Sequence, residues 1–393
     1  MAGGTNHTFP AACVHKVLSN DYLLMEILLR LPILSLRLFK PVCKQWLSLI
    51  TSPSFILTRT RIPTIDPPSG LFIRRSSQNF NEYYNYDFVS FDPRIPAKRS
   101  ILFSFNSNAE IVQSCNGLLL CYTLCLGEYH IYNPLISMFK RLPPLIYDLH
   151  YDRNNGIKYM NMAFDPTKSP YYKVVHVGTH GSVYDDELDH FIKIRTYSSE
   201  TGVWSVWDDL FCYSSFDGFC LGTYWNGAIH WFSYYERFHV IKLDIVNHPV
   251  LTKIQFPLPL TNFQGPLVHC DRKLFKSHDS LLLLCKDYDH SRHLNIYEMK
   301  NGYSVWSVKY FVNLDDMMRP YPTWRMPTNW RCCDTLSIIL GERDEDSFMV
   351  IELSGKILQY KFVLETVSEL FDSGKPVISI NDCFECIASF AHA

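Results

Sequence analysis

KIRTYSSETGVWSVWDDL, Lys193–Leu210, and NIYEMKNGYSVWSVKYFVNL, Asn295–Leu314, decide the fold. Each is a short strand-like run, a turn containing glycine, and a return run carrying Trp-Ser-Val. Laid over one another they form a degenerate internal repeat, and the chain around them keeps its rhythm. Asn116-Gly117 precedes LLLCY, Asn226-Gly227 precedes AIHWF, and Ser354-Gly355 precedes KILQYKF. Such dipeptides between apolar runs are hairpin signals. A spacing of about 40 to 60 residues between repeats points to a solenoid or a propeller.

Six units follow from residue 70: near 70–110, 111–160, 161–215, 216–265, 266–330 and 331–393. Strands this short and numerous leave many open edges in a sandwich, whereas radial repetition shortens and shields them. The pattern predicts an all-β domain, a roughly six-bladed β-propeller, over 70–393. A large β-sandwich or two smaller β-domains are the alternatives. Ring closure needs a partner for the first strand. The C-terminal run CFECIASF, Cys383–Phe390, is expected beside Leu71–Ile73.

Ahead of this lies a different period. LSNDYLLMEILLRLPILSLRLFKPVCKQWLSLI, Leu18–Ile50, is leucine-rich at helical spacing and interrupted by Pro32 and Pro41. Ser19 is expected as N-cap, with Asn20 the alternative, and Asp21 suits the first turn. Pro32 is expected to end the first helix, Pro41 to begin another, and Thr51-Ser52-Pro53 to stop it. Two or three short helices over 17–60 result. Residues 1–16 are expected to be disordered. RIPTIDPPS, 61–69, carries three prolines and reads as an extended linker.

Ser19-Asn20-Asp21, Glu26-Ile27-Leu28, Arg30-Leu31-Pro32, Val42-Cys43-Lys44, Trp46, Leu49-Ile50 and Pro53-Ser54-Phe55 resemble an F-box. The common Leu-Pro opening is replaced by Leu18-Ser19. Gly117-Leu118-Leu119, Tyr132-Asn133-Pro134, Ala163-Phe164-Asp165-Pro166, Tyr172–Val175, Tyr197–Trp204 and Asn226–Trp231 resemble the kelch-like F-box-associated propeller domain of plant F-box proteins. The resemblance implies a substrate-recognition subunit of a Skp–cullin–F-box ubiquitin ligase. The helices would bind the Skp adaptor, through Leu23, Leu24, Ile27, Leu28, Leu31, Pro32, Val42, Cys43 and Trp46, and the propeller would bind a target protein.

Composition is compatible with that role. Hydrophobic residues are 47%, charged residues 19% and aromatics 15%, an ordinary globular balance with strand-favouring aromatics. A formal net charge of -2 gives no sign of a nucleic-acid partner. No apolar run approaches a membrane span. Thirteen Cys, an odd count, with a polar start at Met1–Phe9, read as free thiols in a reducing compartment, cytoplasmic and/or nuclear.

Chemistry-bearing clusters are thin. Cys383 and Cys386 have CxxC spacing but lack a second spaced pair, since Cys332 and Cys333 are adjacent. His176, His180 and His190 lie near Asp185, Asp186, Glu187 and Asp189, which reads as a solvated acidic loop. No GxSxG, GxxxxGK[ST] or GxGxxG occurs. Catalytic residues, cofactor and metal are all expected to be none. The insert Met317–Cys333 combines aromatics with arginine, a hot-spot composition. Tyr321, Trp324, Arg325 and Trp330 are therefore the candidate target contacts. Tyr83, Tyr84 and Tyr86 read as strand or rim. The competing functions are a propeller enzyme and a propeller binding a glycan or small molecule, each with an unrelated helical cap.

Overall fold

The computed structural model describes residues 16, 18–62, 67–74, 85–92, 94–101, 109–145, 160–180, 190–207, 211–213, 219, 221–232, 239–246, 250–257, 270–287, 293–302, 305–319, 333–374 and 383–391. Four helices come first: α1 (Asp21–Leu29), α2 (Ile33–Phe39), α3 (Lys44–Thr51) and α4 (Pro53–Thr60). Asn20, not Ser19, caps α1: its Oδ1 accepts from Tyr22 N at 3.0 Å and Leu23 N at 3.2 Å. Ser19 instead donates to Lys16 O. Pro41 falls in the turn after α2, and Cys43 is the N-cap of α3. Ser52 ends α3 and also caps α4, where Pro53 takes the first position. The residues read as a stop thus also start a fourth helix.

Strands β1–β24 and β25 form six antiparallel sheets among the described residues. The first is β1 (Gly70–Arg74), β2 (Tyr86–Ser90) and β3 (Lys98–Ile101), with β25 (Cys383–Cys386) added outside β1. The second is β4 (Ala109–Cys115), β5 (Leu118–Thr123), β6 (Glu128–Asn133) and β7 (Met138–Arg141). The third is β8 (Met160–Ala163), β9 (Lys173–His180), β10 (His190–Ser198) and β11 (Trp204–Val206), with β12 (Phe211–Tyr213) also on β10. The fourth is β13 (Thr223–Trp225), β14 (Ala228–Phe232), β15 (His239–Asp244) and β16 (Val250–Gln255). The fifth is β17 (Cys270–Ser277), β18 (Ser280–Asp287), β19 (His293–Lys300) and β20 (Ser307–Asn313). The sixth is β21 (Cys333–Ile339), β22 (Phe348–Leu353), β23 (Lys356–Lys361) and β24 (Thr366–Asp372).

These sheets are the blades of a six-bladed propeller. First strands of successive blades touch around an axis, β25 with β4, β4 with β8, β13 with β17 and β17 with β21. Six apolar cores fill the six spaces between blades, one of them between the sixth blade and the first. An open row of six sheets has only five such spaces, so the ring is closed.

Sequence alternation explains how each strand serves two cores. In β18, Leu282 and Leu284 face the sixth blade while Leu281, Leu283 and Cys285 face the fourth. An unbroken apolar run therefore suits a strand covered on both faces. The turn dipeptides adopt left-handed backbone: φ is 47° and 90° at Asn116-Gly117, and 51° and 90° at Ser354-Gly355. At Gly117 a Cβ would lie 2.3 Å from the Ser389 Cβ, so only glycine fits. The two repeated tryptophans bridge blades: Trp204 Nε1 donates to Pro143 O at 2.9 Å, and Trp306 Nε1 to Gln255 O at 3.1 Å. Tyr86 is fully buried, not on a rim, and its hydroxyl accepts from Ile111 N at 2.8 Å. Tyr83 and Tyr84 lie outside the described residues.

The C-terminal run closes the ring as its apolar pattern implies. Leu71 pairs with Glu385 and Phe72 with Phe384, antiparallel. Beyond β25 the tail runs under the helices. Asn133 Nδ2 donates to Ser389 O at 2.9 Å and Ala391 O at 2.8 Å. Ala388 and Phe390 enter the core of the helical module, beside Leu24, Leu28, Leu36 and Phe55. Leu135 and Ile136, from the β6–β7 turn, pack there too. The proline-rich segment 61–69 suggests two loosely joined parts, yet the helices share a core with the ring.

Removing residues 383–391 should therefore unseat both. The expected result is a loss of several kcal/mol out of about 5–15, with aggregation through the freed β1 edge. Thermal unfolding and gel filtration check it, and a truncated chain as stable and monodisperse as the whole refutes it. Acid should weaken the ring as well. Burial pushes His176 and His230 down to about 4 from 6.5, with Arg195 adding to the effect at His176 and Lys242 at His230. Both rings are thus neutral when folded. Their contribution is whole above 6.5 and falls as the pH drops towards 4, by up to about 3 kcal/mol each. Urea titrations across that range should show the slope, and His230→Gln should flatten it by about one proton.

Candidate functional site

The helical module divides its apolar residues between two jobs. Leu24, Leu28 and Leu29 of α1, Ile33 and Leu36 of α2, Ile50 of α3 and Phe55 of α4 are buried together. Arg59 is buried as well, and its guanidinium donates to Leu31 O at 3.1 Å, holding the turn between α1 and α2. Gln45 Nε2 donates to Asp21 Oδ1 at 2.6 Å and fixes the start of α1 against α3. The module's interior is filled by its own chain and by the propeller tail.

A second apolar set faces water. Tyr22 is 72% exposed, Leu38 74% and Val42 59%, with Leu23, Ile27 and Leu47 also exposed. Leu23 and Ile27 stand one turn apart on α1. Leu38, Val42 and Leu47 surround the turn between α2 and α3. Trp46 is half-buried, edge-on to Phe39 at 5.4 Å between ring centroids. Leaving so much apolar surface in water is unfavourable by about 25 cal/mol per Å² relative to covering it. Concentrated on one small module, it marks a docking face.

The residues singled out from sequence split accordingly. Leu23, Ile27, Pro32, Val42 and Cys43 are exposed, and Leu31 and Trp46 are half-buried. Leu24 and Leu28 require correction: at 1% and 0% exposure they hold the module together and offer nothing to a partner. Tyr22, Leu38 and Leu47 are exposed and were not anticipated. The signal was present for Leu38: it lies two residues from buried Leu36, about 200° around the helix. The proposed target contacts Tyr321, Trp324, Arg325 and Trp330 lie outside the described residues. The insert opens with a helical turn, α5 (Leu314–Met318), capped by Asn313, and Met317 is buried in the core between the fifth and sixth blades.

Family comparison fits this architecture. Residues 13–58 match the F-box domain and residues 75–352 the F-box associated beta propeller domain. The chain belongs to the F-box proteins with an F-box-associated propeller. F-box protein At5g07610 of Arabidopsis thaliana is 30% identical over 93% of this chain and 89% of its own length. Putative F-box/kelch-repeat protein At1g12870, from the same plant, is 22% identical over 75% of this chain and 71% of its own. Among solved structures, a chain of a nidogen/laminin complex aligns at 7% identity and a TM-score of 0.40, covering 81% of this chain and 99% of that one. That likeness carries no argument about function.

The other sequence candidates resolve into structure. His176 Nδ1 lies 3.3 Å from the Arg195 guanidinium, a buried structural contact. The side chains of His180 and His190 are outside the described residues, as are Asp185, Asp186, Glu187 and Asp189. Burial pushes the Cys115 thiol up to about 11, and Cys386 likewise, so neither is an activated thiolate. Among the described residues no three His, Cys, Asp or Glu side chains are grouped to hold a metal. No described helix is long and apolar enough to cross a membrane.

The split between inner and outer leucines is measurable. Leu28→Ala should destabilise the chain by about 2–5 kcal/mol, as core truncations do. Leu23→Ala should change stability by no more than about 0.5 kcal/mol. Chemical denaturation of the two variants checks the assignment, and equal costs refute it.

Proposed function

We propose that this chain is the target-recognition subunit of a Skp–cullin–F-box ubiquitin ligase. The observation that carries the reading is the exposed apolar face of an F-box whose own interior is already full. Leu23, Ile27, Leu38, Val42 and Leu47 are then the contacts offered to the Skp adaptor, with Tyr22 beside them. Leu31 and Trp46 support that face from half-buried positions. The reaction itself takes place on partner subunits. This chain supplies proximity, raising the effective concentration of a target lysine near activated ubiquitin. A cytoplasmic or nuclear location goes with that assignment.

Geometry favours a target at the far end of the ring. Every blade is an antiparallel meander, so first-to-second and third-to-fourth strand turns share one end. The helical module rests on that end, against the β6–β7 turn and the tail beside Gly117. Second-to-third turns and blade-to-blade connections share the other end, free of the helices. In a scaffold of this kind, connecting loops are where binding specificity is carried.

A pull-down with purified Skp adaptor tests the reading. The wild-type chain should retain adaptor, and Leu23→Asp with Ile27→Asp should lose it by at least about tenfold while unfolding at an unchanged temperature. Two buried side chains of this size are worth roughly 1.5–3 kcal/mol each, enough for that loss. Full retention by the double variant, or no retention by the wild type, overturns the proposal.

A further inference from the structure

One cavity is left unexplained by adaptor docking. It has a volume of about 510 Å³ and lies on the axis at the end of the ring that carries the helices. Ile33, Arg59, Ile62, Pro67 and Pro68 of the helical segment bound it on one side, and the first strands of the blades bound it on the other. Its size is that of a small-molecule site. Tyr224, Trp225, Phe232, Phe275 and Phe384 give it aromatic walls.

The charge of the lining is lopsided. β17 reads CDRKLFKS and contributes Arg272, Lys273 and Lys276 to the cavity. The other five first strands, AEIVQSC, MNMA, TYW, CDTLSII and CFEC, contain no Lys or Arg. The fold therefore has no general need for cations at this position. Burying them disfavours folding unless something compensates. With Arg59 and Lys168 the lining holds five basic side chains against the carboxylates of Asp165, Asp279 and Glu385, three in all.

Those carboxylates do not balance the β17 cations one for one. Asp165 lies 3.7 Å from Lys168. Asp279 sits in the exposed β17–β18 turn. Glu385 accepts from Ser337 Oγ at 2.5 Å, and burial pushes its carboxyl up towards the neutral form. Lys273, near it, is pushed down by the same burial. Lys276 reaches from the fifth blade to the second and donates to a neutral amide, Asn116 Oδ1, at 3.0 Å. Arg272 lies over the rings of Phe256 at 5.2 Å and Phe232 at 5.9 Å, which fixes its guanidinium at the wall.

We propose that this cavity binds a small organic anion, its carboxylate or phosphate groups held by Arg272, Lys273 and Lys276 and its apolar body resting on the aromatic wall. A compact ligand suits the site better than an acidic target segment. The site faces the helical module, at the opposite end of the ring from the blade-to-blade connections. Bound there, the anion touches helix and ring together and braces one against the other. The inference stands apart from adaptor binding, because its test needs no adaptor.

The test uses the full chain at fixed ionic strength, with citrate as the carboxylate probe, inorganic pyrophosphate as the phosphate probe, a polyglutamate peptide, and sodium chloride as control. Calorimetric titration and thermal unfolding are the readouts. Citrate, pyrophosphate or both should bind with one-to-one stoichiometry and raise the melting temperature above the chloride control. The stronger of the two identifies the anionic group. Lys273→Gln with Lys276→Gln should weaken binding by about ten- to a hundredfold, the cost of losing charged hydrogen bonds. Lys140→Gln, on the outer strand β7, should leave it unchanged. Arg272→Gln gives a second route if the double variant does not fold. No effect beyond chloride, binding of polyglutamate alone, or wild-type affinity in both cavity variants overturns the proposal.

Discussion

Everything in this chain rests on one strand pairing between its two distant parts. β25 lies against β1 over four residue pairs, from Gly70 with Cys386 to Ile73 with Cys383. Sequence separation makes this the costliest contact in the fold to form, because more than 300 residues must first be ordered into blades. Without it, the first and sixth blades expose strand edges, and the core containing Leu71, Val89, Ile339 and Val350 loses its two-sided cover. Side chains reinforce the joint. Ser114 Oγ donates to Glu385 O at 2.6 Å, and Ser69 Oγ to Cys386 O at 3.0 Å. The ring is thus closed by its last described strand and by the residue just before its first.

That closure also decides where the helices sit. Five residues after β25 do work that the helical segment cannot do alone. Four short helices enclose too little volume to hide Leu24, Leu28, Leu36 and Phe55 by themselves. Phe390 and Ala388 complete the enclosure, Lys40 covers the Phe390 ring at 5.3 Å, and Asn133 clamps the tail carbonyls. Because the inner faces of α1–α4 are consumed in this way, only the outer faces remain for a partner. The exposed apolar residues are therefore a consequence of internal packing, and their number reflects how few positions the tail and ring can cover.

The propeller was legible because its signals are local. Two-residue turns with left-handed backbone, paired tryptophans and apolar runs of strand length recur at a regular spacing, and each has a direct structural counterpart. The apolar C-terminal run could be placed on β1 because closure demands a partner for the first strand. The functional face was less legible. Leu24 and Leu23 are neighbours of the same type, and period alone does not say which of two leucine stripes a tail 360 residues away will cover. Ser52 was read as an end, since a residue that closes one helix and caps the next leaves the same trace as a simple stop. Asn20 took the cap from Ser19 because its longer side chain reaches two backbone amides. Nothing in the sequence pattern marks β17 as bordering a cavity, since a Lys or Arg on a first strand reads the same whether it faces solvent or the axis.

The same geometry constrains how such a subunit could act. Transfer to a tethered lysine depends on reach, and reach depends on how rigidly the two ends of the receptor are joined. A flexible proline linker alone would let the propeller swing freely about the F-box, spreading the lysine over a large volume. Here the helices are held to the ring by a shared core, by the tail and by Arg59 beside the axial cavity. On the proposed reading, adaptor and target occupy opposite ends of a closed ring, and the distance between them is set by strand length. Strands of four to nine residues, at about 3.3 Å each, fix the thickness of the ring. Specificity can then change in the connections at one end without disturbing the packing at the other, since the two ends share only the strands between them.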